Sequence, residues 1–455
     1  MELLETFDPQ HIERIFGREV ALRPPDLSVP LAPVKRVALI TEAFLPKVDG
    51  VTKTAYLTMR YLRQTGRELL IFAPDISPPQ IEGVRIVPLT SLGVPGVPET
   101  RMALPNPRIA RELHEFRPDL IHMFSPAFMA VSGMANGRYM NVPVIANYQT
   151  DLPGYAAVYG KGKGGRIAGR VIHHWLRYVH NGCHLTLVPS NTTADELRAE
   201  GYKRLRSWGR GVDSVRFDPA HRSAEWRARL LGDRDPDSLL CVYVGRLATE
   251  KRIDLLLDVA RTPGVALTII GDGAQREPLE EIFAGTDTRF TGYLVGDDLP
   301  AAFASADVFL FTGPYETFGQ VVQEAMASGL PTVVTNQGSV KDLVIEGETG
   351  FVVEDTAEAF ATVIRQLRDD PAMRQRMAQA ARRAAEARPW ERVLAQLETY
   401  YAEAVSANER FKRVFGRTDY YSFLNLRKIW QTPNPDIRMA AHEDLIDFDT
   451  HRHAG

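Results

Sequence analysis

The feature that most limits how this chain can fold is an alternation that runs through it twice. Val34–Ile40, Glu68–Phe72, Val84–Pro88, Leu120–Phe124, Val142–Ala146 and Leu185–Pro189 are short apolar runs of strand length. Helix-like stretches such as Thr52–Gln64 and Pro107–Phe116 lie between them. That rhythm belongs to a parallel sheet covered by helices on both faces. It pauses over Asp213–Asp237, which is charged, contains Pro219 and Pro236 and has no strand pattern. It resumes with strands at Leu239–Val244, Ala266–Ile270, Val308–Phe311 and Pro331–Thr335. Helices are expected at Ile253–Arg261, Gln320–Ser328 and Ala357–Leu367, and Pro371–Ala407 reads as helical throughout.

A chain of 455 residues accommodates two or three domains at roughly 100–200 residues each. The expected division is an extension over 1–33, a first α/β domain over 34–213 and a connection over 214–237. A second α/β domain over 238–385, a crossing helix over 386–407 and an unassigned extension over 408–455 complete it. Two facing α/β domains place a ligand in the crevice outside their strand ends. The net charge of −3 argues against nucleic acid as a partner, because phosphate-backbone binding needs a basic face. Cys183 and Cys241 have neither a CxxC partner nor a metal-like histidine spacing. No apolar run approaches the length of a membrane span, and Met1–Arg23 lacks the order of a secretory signal. A cytoplasmic protein, at most peripheral to a membrane, is the expectation.

Three strand-turn-helix junctions carry candidate chemistry. The strand Asp307–Phe311 leads into Pro314-Tyr-Glu-Thr-Phe-Gly319, and a helix is expected to begin at about Phe318 or Gly319. Its free backbone N–H groups and positive dipole end suit an anion such as a diphosphate. Glu316 precedes the helix and Glu324 lies inside it, so the two carboxylates can receive hydroxyls on either side of that anion. Spacing alone favours a solvated surface pair, and the neighbouring junctions change that reading. Val242-Tyr-Val-Gly-Arg-Leu-Ala-Thr-Glu-Lys251 is the second junction. Gly245 permits a tight approach there, and Arg246 and Lys251 offer two cations to a departing diphosphate, on which negative charge grows as a glycosidic bond breaks. Ile269–Gly273 and Thr291–Gly296, the latter including Leu294, are loops suited to a base slot or are ordinary turns. In the first half, Phe44–Thr52 puts Gly50 and Val51 after the first strand. This is not GxGxxG, so a nicotinamide fingerprint is absent.

Taken together, these motifs resemble family 4 of the retaining glycosyltransferases, with the GT-B fold of two facing doubly wound domains. The resemblance runs from about Val34 to Tyr400. Phe44–Val51, Asn147-Tyr-Gln-Thr-Asp-Leu-Pro-Gly-Tyr155 and Trp208-Gly-Arg-Gly-Val-Asp213 are similar to the branch of sulfoquinovosyl-diacylglycerol synthases and GDP-mannose-dependent α-mannosyltransferases, closer to the latter. The resemblance implies a hexosyl transferase, with Arg246 and Lys251 on the donor diphosphate, Glu316 on the transferred hexose and Glu324 on the ribose. It also implies that Gly50 and the Thr317, Phe318 and Gly319 backbone contact sugar and phosphates. No cofactor or metal is expected beyond the nucleotide-sugar donor, GDP-mannose or a UDP-sugar. Retaining transfer in this family is described as front-face attack, in which the leaving phosphate takes the acceptor proton.

One departure concerns His122. Relatives carry His-x-His-x-Pro where this chain has His122-Met-Phe-Ser-Pro126, so Phe124 stands at the second histidine position. His122 remains a catalytic candidate, but it ends an expected buried strand and reads equally well as structural. Asp233-Arg-Asp235 matches a metal motif of another transferase fold, yet follows no strand and reads as a solvated loop. Lys161–Tyr178 is locally basic and includes Trp175 and Tyr178. It reads either as a helix packed on its own domain or as one resting on an anionic membrane surface. The branch resemblance implies a lipid-linked acceptor. A soluble sugar or sugar-phosphate acceptor, a UDP-sugar-dependent diacylglycerol glycosyltransferase and a catalytically silent binding protein are the alternatives.

Overall fold

The computed structural model describes residues 30–45, 50–94, 97–103, 106–124, 129–152 and 162–415. The expected extensions therefore lie largely outside the described residues, as do parts of the Phe44–Thr52, His122–Pro126 and Asn147–Tyr155 stretches. All ten expected strands form. In the first half the strands are β1 (Arg36–Thr41), β2 (Glu68–Pro74), β3 (Gln80–Ile81), β4 (Val84–Leu89), β5 (Ser91–Val94), β6 (Val97–Ala103), β7 (Leu120–Phe124), β8 (Val144–Asn147), β9 (Leu185–Val188) and β10 (Leu205–Ser207). Eight of them make one sheet in the order β10-β9-β8-β7-β1-β2-β4-β3, parallel except for β3, while β5 and β6 form a separate hairpin. In the second half, β11 (Leu239–Val244), β12 (Val265–Ile270), β13 (Arg289–Gly292), β14 (Val308–Phe311), β15 (Thr332–Thr335) and β16 (Gly350–Val353) make a parallel sheet in the order β13-β12-β11-β14-β15-β16.

Side chains alternate between two cores in each domain, as strand geometry requires. Val37 and Leu39 enter one core of the first domain, and Ala38 and Ile40 enter the other. In β11, Leu240 and Val242 face one core while Leu239, Cys241 and Tyr243 face its opposite. Burial on both faces explains why these strands read as continuous apolar runs. Both cysteines are buried free thiols.

Strand order also says where a ligand fits. In the first sheet the order reverses between β7 and β1, and in the second between β11 and β14. Crevices in doubly wound sheets open outside the carboxyl ends of strands at such reversals. Gly50 follows β1, Gly245 and Arg246 follow β11, and Glu316 follows β14.

Two departures from expectation have local causes. The 214–237 stretch has no strand, but it is no bare connection: Ala224–Leu231 is helical, and Phe217, Leu230 and Leu231 are buried in a core of the second domain. Arg234 donates to the carbonyls of Leu230, Leu231 and Leu267, which seats the Asp233–Asp235 loop against that domain. The stretch read as helical over Pro371–Ala407 is two helices, Pro371–Glu386 and Trp390–Phe415, the second extending beyond the expected crossing helix over 386–407. Pro389 separates them, because proline lacks the N–H and disfavours the helical conformation of the residue before it.

The Trp390–Phe415 helix returns to the first domain. Trp390, Val393, Leu394, Leu397, Tyr401 and Ala404 share a core with Leu39, Ile71 and Phe124. At its centre Glu398, whose side chain is 0% exposed, accepts bonds from Arg67 Nη2 (2.5 Å), Tyr61 Oη (2.9 Å) and the Ala32 backbone N–H (2.8 Å). Arg67 also donates to the Val34 carbonyl. Removing one partner of a buried pair strands the other charge, at a cost of about 3–5 kcal/mol. Glu398→Ala should therefore lose about that much stability in urea unfolding. A loss below about 1 kcal/mol, typical of an exposed pair, would contradict the reading.

Candidate active site

At the end of β11 the chain turns at Gly245, where an added β-carbon would meet the Tyr243 hydroxyl at 2.8 Å. The Gly245 N–H donates to the Ile270 carbonyl, which keeps the turn flush with β12. Arg246 then projects from the turn with its side chain 45% exposed, and Nη2 donates to Glu250 Oε1 at 2.7 Å. Glu250 is buried and orients the guanidinium. Sequence reasoning did not single it out, although its spacing from Arg246, four residues on, is a pairing signal where the backbone is helical.

Lys251 follows on a 3-10 turn, Thr249–Lys251. Its carbonyl accepts the Thr312 hydroxyl at 2.6 Å, and its stem crosses Gly313, whose added β-carbon would lie 3.3 Å from Lys251 Cδ. The ammonium thereby reaches Glu316 and pairs with it. The Glu316 carbonyl accepts the Ser339 N–H at 3.1 Å, which pins the loop from the other side. Burial pushes the Glu316 carboxyl up, but Lys251, with Arg210 and Arg246, reverses that and holds it below the usual carboxylate range. Glu316 is thus an acceptor-only group.

The loop ends at Gly319, which has φ 87° and stands before the Gln320–Ala327 helix. A side chain is disfavoured in that left-handed conformation, and a β-carbon there would also strike Val340 Cγ1 at 2.7 Å. Glu324 lies one turn into the helix. Lys53, from the first turn of the facing Gly50–Gln64 helix, approaches its Oε1 to 3.7 Å. Burial raises the Glu324 carboxyl, and nearby Asp213 adds to this against the opposing Lys53 and Arg216. The two carboxylates thus differ in proton affinity because of their surroundings.

The two domains meet directly here. Thr317 Oγ1 donates to the Gln149 carbonyl at 2.9 Å, and Gln320 Nε2 donates to the Gly211 carbonyl at 3.0 Å. Phe318 is buried and Gly209 packs on its ring. Gly50 begins its helix with Arg210 lying against its α-carbon, whereas the Val51 side chain is buried. The two loops read as a base slot are joined, since Gly271 N–H donates to the Gly292 carbonyl and the Tyr293 hydroxyl to the Asp272 carbonyl. Leu294 packs partly buried on the second domain.

The structure thus gathers Gly50, Gly245, Arg246, Lys251, Glu316, Thr317, Phe318, Gly319 and Glu324 along one crevice. It does not bring His122 there. That ring is fully buried in β7, with Nδ1 2.8 Å from the Tyr401 hydroxyl and Nε2 2.9 Å from Asn147 Oδ1. Burial pulls its pKa down to about 4 against a weaker opposing effect from Asn147. One ring nitrogen thus meets the returning helix through Tyr401 and the other meets Asn147 at the end of β8, so both are occupied within the first domain.

Residues 48–216 match the model of Glycosyltransferase Family 4, and residues 228–384 match that of Glycosyl transferases group 1. The chain is 39% identical over 382 residues to a GDP-mannose-dependent alpha-mannosyltransferase of Mycobacterium tuberculosis, covering 81% of this chain and 97% of the relative. It is 35% identical to the sulfoquinovosyl transferase SQD2 of Arabidopsis thaliana, covering 81% and 73%. Among solved structures, sucrose-phosphate synthase from Thermosynechococcus elongatus superposes with a TM-score of 0.66 at 21% identity, covering 82% of this chain and 100% of that one. The HepE protein of Anabaena, solved with UDP, does so at 0.63 and 17%, covering 80% and 98%. These structural likenesses establish the expected GT-B architecture.

The buried histidine has a consequence for acid stability. Its folded pKa lies below the 6.5 of an ordinary histidine, so the unfolded chain accepts a proton that the folded chain refuses. Its contribution is complete above about pH 6.5 and is lost as pH falls towards 4. Stability from urea titrations should fall across that window, and less steeply in His122→Gln. An equal slope in the variant would show that His122 does not contribute, leaving the buried His180 and His184, whose pKa values burial also lowers.

Proposed function

The chain belongs to glycosyltransferase family 4, and from that premise we propose that it moves a mannosyl group from GDP-mannose, with retention of configuration, to a lipid-linked acceptor. The observation that carries the reading is the convergence of Lys251 and Arg246 with Glu316 at the turn that opens the Gln320–Ala327 helix. Two cations and a helix N-terminus suit a diphosphate, and a carboxylate beside them suits the hydroxyls of its sugar. The curated mycobacterial relative supports GDP-mannose as the donor.

In this reading Lys251 exchanges Glu316 for the donor phosphates. The freed carboxylate then accepts hydroxyls of the mannosyl group and fixes its orientation. As the glycosidic bond lengthens, negative charge gathers on the GDP oxygen, where Lys251 and Arg246 stabilise it more than they stabilise the bound donor. Glu324 accepts the ribose hydroxyls. No side chain serves as general base: the acceptor attacks from the face that GDP leaves, and the departing phosphate takes its proton.

A donor screen tests the reading. GDP-mannose should be consumed, with GDP released, in preference to UDP-glucose and UDP-galactose. Consumption of a UDP-sugar alone would overturn the mannosyl assignment and favour the alternative that similarity to SQD2 raises. Within the preferred reaction, Lys251→Ala or Arg246→Ala should lower kcat by about 10²-fold. Glu316→Ala should act on kcat, whereas Glu324→Ala should act mainly on KM, because ribose contacts are alike in ground and transition states. The opposite split would exchange the two roles.

A lipid-linked acceptor requires the enzyme to reach a membrane. Among the described residues no helix is long and apolar enough to cross one. The Gly162–Gly182 helix instead buries Leu176 and Val179 while Ile167, Val171, Trp175 and Tyr178 stand exposed on its opposite side. Their spacing of four, four and three residues makes one stripe. Arg170, His174 and Arg177 flank it by the same helical geometry. Lys161 lies outside the described residues, as do the side chains of Lys163 and Arg166, but both belong to this helix or its approach. An apolar stripe bordered by cations suits an anionic membrane interface. Val171→Glu with Trp175→Glu should abolish binding to vesicles of anionic lipid and spare donor hydrolysis. Retained binding would rule this helix out as the docking face.

A further inference from the structure

The segment 208–213, where the chain leaves the first domain, is fixed on every side. Trp208 Nε1 donates to the Val393 carbonyl at 2.9 Å, and the Val212 N–H donates to the Arg388 carbonyl at 3.0 Å. Of the two glycines beside Arg210, Gly211 is sterically required and Gly209 is tightly packed. A β-carbon on Gly211 would lie 2.4 Å from the Trp390 α-carbon, and one on Gly209 would press the Phe318 ring at 3.2 Å. The backbone of Arg210 is therefore held against both domains at once.

Its side chain spans the crevice. A β-carbon built on Gly50 would fall 2.1 Å from Arg210 Nη1, so the guanidinium rests on the first residue of the Gly50–Gln64 helix. Its Cζ is 5.8 Å from the centroid of the Phe318 ring across the seam. The same guanidinium contributes to the electrostatic environment of Glu316. The cation is thus set between the backbone of one domain and the carboxylate of the other.

We propose that Arg210 is a third cation of the donor clamp, supplied from the first-domain side, and that it binds the sugar-bearing phosphate of the nucleoside diphosphate opposite Lys251 and Arg246. The inference rests on the reading that the crevice binds a nucleotide-sugar donor. Arg246 and Lys251 belong wholly to the second domain, so alone they would hold the diphosphate whether or not the domains face each other. Arg210 adds a contact that exists only when Gly50 and Glu316 are apposed. A guanidinium also offers two parallel donors to one phosphate, which an ammonium cannot.

The test compares ligands that differ by that one phosphate. Binding of GDP, GMP and guanosine is measured by calorimetry for the wild type, Arg210→Gln and Arg210→Lys, with UDP, UMP and uridine in parallel. A charge-assisted bond to the distal phosphate predicts that Arg210→Gln weakens GDP about 10- to 100-fold and leaves GMP and guanosine within about twofold. Turnover should fall about 10²-fold, with Arg210→Lys intermediate in both. Unchanged GDP affinity overturns the proposal, and so does an equal loss for GDP and GMP, which would mark Arg210 as a prop for the Phe318 loop. If the wild type prefers UDP, the GDP-mannose reading fails, and the Arg210 comparison is read from UDP against UMP. Arg210→Lys carries the comparison should Arg210→Gln not fold.

Discussion

A buried carboxylate cannot be left alone, and in this protein Glu398 is met by Arg67, Tyr61 and the Ala32 amide. Isolated burial of that charge would cost several kcal/mol, so the Trp390–Phe415 helix has one seat, on the first domain. The consequence reaches the crevice. Because the Trp390–Phe415 helix packs on the first domain, the chain crosses the seam at 208–213 and again at 386–390. The two crossings are joined where Val212 pairs with Pro389 and where Gly211 packs on Trp390. This double crossing sets Arg210 beside Gly50 and Gln320 beside Gly211, and thereby aligns two separately folded sheets.

The crevice between those sheets balances its own charges. Lys251 pairs with Glu316 within the second domain, and Lys53 approaches Glu324 from the first. Each cation lies within reach of an acid that the proposed reaction assigns to a sugar. In the proposed reaction, binding the donor is an exchange of partners, in which phosphates take the cations and hydroxyls take the carboxylates. An exchange avoids the desolvation cost of bringing an uncompensated charge into the site. The different surroundings of Glu316 and Glu324 follow from the same layout, since three cations act on Glu316 while Asp213 stands near Glu324.

Much of this was legible in the sequence where a local pattern carries the physics. Strands buried on both faces read as apolar runs, so β1, β7, β11 and β14 were placed to within two residues. The short edge strand β16, the hairpin β5–β6 and β10 were not, because edges and brief pairings leave no continuous run. The break at Pro389 was visible as a proline but masked by helix formers on both sides. The Glu316, Lys251 and Arg246 junctions were found because glycine turns after strands mark strand ends. Glu250, Lys53 and Arg210 were missed as site residues. Glu250 acts through Arg246, and the other two enter from the first domain, so only the apposition of the domains reveals them. His122 had two open readings, and tertiary contact with Tyr401, 279 residues away, favours the structural one.

The claim on which the functional account depends is that GDP-mannose is the donor and that its α-configuration is kept. Proton NMR of a single reaction, with GDP-mannose and a membrane-lipid extract as acceptor source, reads both. The anomeric signal of the donor should decay as GDP appears, and the new product signal should have the one-bond carbon–proton coupling of an α-mannoside. A β-mannoside, or an undiminished GDP-mannose signal under conditions in which a UDP-sugar is consumed, would contradict the account.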